Sequence, residues 1–106
     1  MAQNIEVTVE TDAEVAWLPN LPQGRVMLVT DSADWNAQTA KVWMKFKDDD
    51  GLQQVKNPHT GDAWEPTAND AIDVPSVGEV LFGISTADVS EISDLKLFAL
   101  PYDQTF

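Results

Sequence analysis

A chain of 106 residues with 18 acidic and six basic side chains carries a formal net charge of −12 and contains no cysteine. The missing cysteines exclude a disulfide framework, a thiol nucleophile and thiolate metal sites. The scattered cations argue against nucleic acid and anionic membranes as partners, because both need clustered Lys or Arg. This length accommodates one core, so a single domain is expected over residues 1–100, followed by a tail at 101–106. Met1-Ala2-Gln3-Asn4-Ile5-Glu6 lacks the basic and apolar regions of a secretory leader, and nowhere do eighteen apolar residues run together. So large a charge keeps copies apart in solution and suits docking on a less acidic surface.

Asn4 to Glu10 alternates Ile5, Val7 and Val9 against Glu6, Thr8 and Glu10, which predicts a half-buried strand with an acidic wet face. Ala13, Val15 and Trp17 repeat the pattern after a turn at Thr11-Asp12. Pro19, Pro22 and Gly24 then break regular structure. Arg25 to Thr30 is apolar through Val26, Met27, Leu28 and Val29, as expected for a strand covered on both faces or close to it. Asp31-Ser32-Ala33-Asp34 is a polar connection.

The stretch Trp35–Gly51 organises the reading. From Lys41 to Lys47 the alternation puts Val42, Met44 and Phe46 on one side of a strand, expected to face the core together. Lys41, Trp43, Lys45 and Lys47 fall on the other. Phe46→Asp is accordingly expected to unfold the domain. Asp48-Asp49-Asp50-Gly51 closes the strand with a hairpin signal. Leu52 to Lys56 is the return strand, with Leu52 and Val55 as its apolar contacts.

Asn57 to Thr67 holds two prolines and a glycine and predicts the longest loop. Ala71 to Val74 is a short strand ended by Pro75-Ser76-Val77-Gly78, and Glu79 to Ser85 is another, with Val80 and Phe82 opposed to Leu81. Thr86 to Ser93 holds a helical turn at most and crosses between strands. Leu95 to Leu100 is the last strand, Leu95, Leu97 and Ala99 opposed to Lys96, Phe98 and Leu100. Seven to eight short strands with turns every eight to twelve residues and no long helix predict an all-β, antiparallel β-sandwich, Ig-like or jelly-roll-like.

The chemistry-bearing residues are few. Asp48-Asp49-Asp50-Gly51 fails the EF-hand pattern, since aligning Gly51 with its glycine puts Phe46 at the first ligand position and Asn57 at the last. His59 is the single histidine and sits in a loop without partners for a triad or a zinc site. Asp31 with Asp34 would need a pocket to do acid–base work. No catalytic residue, metal site or cofactor is therefore expected. The tryptophans Trp17, Trp35, Trp43 and Trp64 serve either as core and protomer contacts or as stacking platforms for sugars. Trp43, opposite the core face, is the sharpest case. Trp43, Trp64, His59 and the tail residues Tyr102 and Phe106 are the candidate contacts for a partner or glycan.

Several pieces follow one another along the chain: Trp35-Asn36-Ala37, the alternating strand Ala40 to Lys47, the turn Asp49-Asp50-Gly51, Trp64, the strand Asn69-Asp70-Ala71-Ile72-Asp73-Val74-Pro75, and the final strands Val80 to Ser85 and Leu95 to Leu100. This layout, from about Gly24 to Leu100, resembles small virion proteins of tailed bacteriophages, the compact β-sandwich proteins of capsid decoration, head-fibre or minor tail type. The resemblance implies a structural protein present in many copies on the capsid surface after synthesis in the host cytoplasm. It would act as a decoration or cement protein, bound to the major capsid protein or other virion proteins. It would be no enzyme, and a homo-oligomer, with trimers matching local three-fold axes of the shell. A glycan-binding module on a tail or capsid surface, or a tail or adhesion accessory domain, is the alternative.

Overall fold

The computed structural model describes residues 5–21, 23–48, 51–76 and 79–101. Tyr102, Phe106, Asp49 and Asp50 lie outside them. The strands are β1 (Ile5–Thr8), β2 (Ala16–Trp17), β3 (Gly24–Asp31), β4 (Ala40–Phe46), β5 (Gln53–Gln54), β6 (Asp70–Ser76), β7 (Val80–Thr86) and β8 (Lys96–Pro101). A three-residue 3₁₀ turn at Val89–Glu91 is capped by Asp88, whose carboxylate accepts from the Ser90 amide. The strands form two four-stranded antiparallel sheets, ordered β1-β8-β3-β6 and β2-β7-β4-β5.

The pairings are nested. β1 pairs with β8, β2 with β7, β3 with β6 and β4 with β5. The chain is thus one long ribbon doubled back between β4 and β5, then wrapped so that β8 meets β3 and β7 meets β4. That winding makes the β-sandwich a jelly roll and not an immunoglobulin-type sandwich.

Alternation sends one side of each long strand inward. Val26 and Leu28 of β3, Ile72 and Val74 of β6, and Leu97 and Ala99 of β8 face Ala40 and Val42 of β4 and Phe82 and Ile84 of β7. Leu28, Val42, Ile84 and Leu97 are wholly buried. Each such side chain contributes about 1.5–3 kcal/mol. The β3 run is covered less evenly than expected: Met27 and Val29 are half-buried on the outer face, while Val26, Leu28 and Thr30 are buried. The core hydroxyl of Thr30 is satisfied by the Asp70 amide, which donates to its Oγ1 at 3.2 Å.

Phe46 corrects the sequence reading. Val42 is buried and Met44 packs against the core at its edge, but Phe46 is 57% exposed. It is the last residue of β4, opposite Val80, the first of β7, so it lies where the second sheet runs out. Leu52 is likewise 44% exposed, whereas Val55 is buried and its amide donates to the Val42 carbonyl at 2.9 Å. β2 is shorter than its alternation suggests, because Ala13 adopts a left-handed φ of 58° that breaks the strand. β6, conversely, runs through Pro75. It is an edge strand paired only with β3, so a residue without an amide proton forfeits no ladder bond when its nitrogen points outward.

Candidate functional site

The outer face of the second sheet carries the chemistry-bearing side chains that alternation turns away from the core. Trp17, Gly83, Trp43 and Gln54 stand in one row across β2, β7, β4 and β5. The two tryptophans are two strand spacings apart, about 10 Å. Lys41 and Lys45 flank Trp43 along β4 on the same face.

Trp17 is already engaged. The Lys45 ammonium sits 4.9 Å from the centroid of its ring, a cation–π contact. Its indole also covers Gly83, where a Cβ would come within 2.8 Å of Trp17 Cε3. Trp43 is half-buried, and its Nε1 donates to Ser85 Oγ at 2.9 Å, which fixes the plane of the ring. Its ring forms one wall of a groove that continues past Lys41 and Ser85 to Gln38, Ala37 and Ala13.

The walls of this groove are fastened from several sides. The Ala13 amide donates to the Thr86 carbonyl at 2.8 Å, and the Val89 amide donates to Asp12 Oδ1 at 2.9 Å. On the opposite wall the Gln38 amide donates to the Trp35 carbonyl at 2.8 Å, and the Asn36 amide donates to Asp34 Oδ1 at 3.0 Å. The Thr86 hydroxyl donates to the Thr39 carbonyl at 3.1 Å and ties the two sides together.

The remaining candidates fall elsewhere. Trp64 is 2% exposed, which rules it out as a surface stacking platform. Its amide donates to the Val55 carbonyl at 2.7 Å and its Nε1 to Asp70 Oδ2 at 3.1 Å, so the long loop folds its indole under the sheet. Trp35 Nε1 donates to Asn69 Oδ1 at 2.6 Å, and the same oxygen accepts the Ser32 amide at 2.9 Å. Asn69 Nδ2 donates in turn to Asp31 Oδ1 at 3.0 Å. Asn69 and Asp70 therefore anchor two tryptophans as structural fasteners. His59 is exposed in a turn built on Asn57, whose Oδ1 accepts the His59 amide at 2.9 Å.

Asp31 and Asp34 point to separate partners, Asn69 Nδ2 and the Asn36 amide. Among the described residues no group of three or more His, Cys, Asp or Glu side chains converges as a metal site would require. The exposed Phe46 and Leu52, with Met44 and Val80, line a second, apolar cleft. It lies at the Phe46 end of β4, three residues or about 10 Å from Trp43. Sequence patterning flagged neither this cleft nor the small groove residues Ala13 and Ala37. The nearest signals were the Ala13, Val15, Trp17 alternation and the Trp35-Asn36-Ala37 stretch, neither of which indicates a groove. Comparison of the sequence with protein-family models and with curated proteins, and of the fold with solved structures, returns no match.

Proposed function

We propose that this chain is a structural protein of a tailed-phage virion, a decoration or cement protein that acts by docking on other virion proteins. The observation that carries the reading is the apolar cleft at one end of a strongly acidic domain. Phe46 and Leu52 are large hydrophobic side chains left open to water beside Met44 and Val80. Exposed apolar groups rimmed by polar ones are the usual currency of protein contacts. The jelly-roll winding supports the reading by analogy of fold, since capsid and lectin domains both use it. So does the resemblance of its residue layout to that of small phage virion proteins.

In this reading the cleft meets a less acidic surface on the shell, and the charge of −12 keeps unbound copies apart. A trimer would present three such clefts at once and gain by avidity. Co-sedimentation with undecorated shells tests the proposal. The protein is expected to saturate the shells at a fixed copy number, and Phe46→Asp or Leu52→Asp to abolish pelleting while leaving the circular dichroism spectrum intact. No pelleting of the unmodified protein, or undiminished pelleting of both variants, would overturn it.

A further inference from the structure

We propose that the groove bordered by Trp43 is a binding site for a neutral glycan, with a pyranose ring laid against the indole. A sugar ring offers an apolar C–H face and a rim of hydroxyls that both donate and accept. The groove answers each half. Trp43 supplies the flat apolar wall, and its N–H is already satisfied by Ser85 Oγ at 2.9 Å, so the ring needs no reorientation on binding. Lys41, Gln38 and the Ser85 hydroxyl supply donors and acceptors along the same groove.

Two further features point the same way. Ala13 and Ala37, on opposite walls, both hold a left-handed backbone at φ 58°. This conformation is unfavourable for any residue with a Cβ, and such strain concentrates at functional sites. Their single methyl groups leave the groove open where longer side chains would fill it. The surrounding charge selects the class of glycan. Asp12 and Glu14 flank Ala13 in the chain, Asp88 follows the groove residue Ala87, and the protein as a whole carries −12. Among the described residues Lys41 is the one charged side chain lining the groove, so the negative field acts from its surroundings: it repels a uronate or sialylated polymer on approach and leaves a neutral saccharide unaffected.

Trp43 of the groove and Phe46 of the apolar cleft lie three residues, about 10 Å, apart along β4 and on opposite sides of the strand, and shell pelleting and sugar titration read the two proposals separately. Isothermal titration of the full chain with maltohexaose, cellohexaose, mannohexaose and trigalacturonate tests the inference, alongside the indole N–H signals by NMR. At least one neutral hexasaccharide is expected to bind saturably and shift the Trp43 indole signal while leaving that of Trp64 in place. Trp43→Ala is expected to weaken binding at least about fivefold, and Phe46→Asp to leave it unchanged. Should Trp43→Ala fail to fold, Lys41→Ala combined with Gln38→Ala, both at the surface, is expected to weaken binding at least about threefold. Absence of binding by every neutral sugar at about 10 mM, binding confined to trigalacturonate, or affinity untouched by the variants would overturn it.

Discussion

Trp17 rests directly on Gly83, in the row where β2 crosses β7. A Cβ built at position 83 would stand 2.8 Å from Trp17 Cε3, 2.8 Å from the Ala16 carbonyl oxygen and 2.6 Å from Val15 Cγ1. The carbonyl cannot swing aside as a side chain would, so β2 as a whole would have to lift from β7. Gly83→Ala is therefore expected to destabilise the domain by about 1–3 kcal/mol, as overpacking does. Urea denaturation followed by tryptophan fluorescence reads it directly, and an unchanged midpoint would mean that β2 yields without resistance.

Val42 and Phe46 lie on the same side of one strand and should respond in opposite ways. Val42 is wholly buried, and Val42→Asp would place a carboxylate in the core without a partner, a cost of at least about 3 kcal/mol against a total stability of about 5–15 kcal/mol. Phe46→Asp, at a site 57% exposed, should shift stability by no more than about 0.5 kcal/mol. Thermal melts of the two variants decide the matter. Equal loss in both would place Phe46 back in the core.

Asn69 is exposed, yet its Oδ1 holds the Trp35 indole and the Ser32 amide together. Asn69→Ala should cost about 1–2 kcal/mol, and Asn69→Asp, which keeps an acceptor oxygen for both bonds but loses the donor to Asp31, should cost less. Chemical denaturation compares them. If Asn69→Asp proves the worse of the two, repulsion from Asp31 outweighs the acceptor geometry.

The β6 edge is guarded. Pro75 has no amide proton, and the Ala71 amide is taken by Asp70 Oδ1 at 2.8 Å. Both devices discourage a second copy from adding a strand there. Pro75→Val alone, which spares the Asp70 acceptor of the Trp64 indole, is expected to raise the apparent mass in light scattering as protein and salt concentrations rise, the salt screening the charge of −12. A mass that stays constant would mean that the edge is protected by other means.

How far the sequence carried the fold depended on how much of each element its neighbours cover. Alternation identified β4 and β8 and their inward sides, because Val42, Leu95, Leu97 and Ala99 sit where the two sheets overlap. It failed at Phe46 because no local pattern records where the facing sheet stops. The choice between jelly roll and immunoglobulin winding was equally out of reach, since it depends on which distant strands pair. Trp64 stayed open between core and surface contact for a different reason. It stands in an aperiodic, proline-flanked loop, and its burial comes from a hydrogen bond to Asp70 and a backbone bond to Val55. Trp43 was singled out correctly as lying away from the core, but the groove beside it is assembled from Ala13, Ala37 and Ser85, which are scattered along the chain.

The doubled ribbon also dictates an order of events as the chain folds. The β4–β5 turn joins residues close in sequence, whereas Ile5 must find Ala99 across all the intervening strands. Closure of that outermost pair carries the largest entropic toll and gains its reward last, which is the signature of slow, topology-limited assembly. A nascent chain leaving the ribosome would thus hold β1 unmatched until β8 emerges, with Ile5 and Val7 lacking their shelter until residues 96–101 have been made.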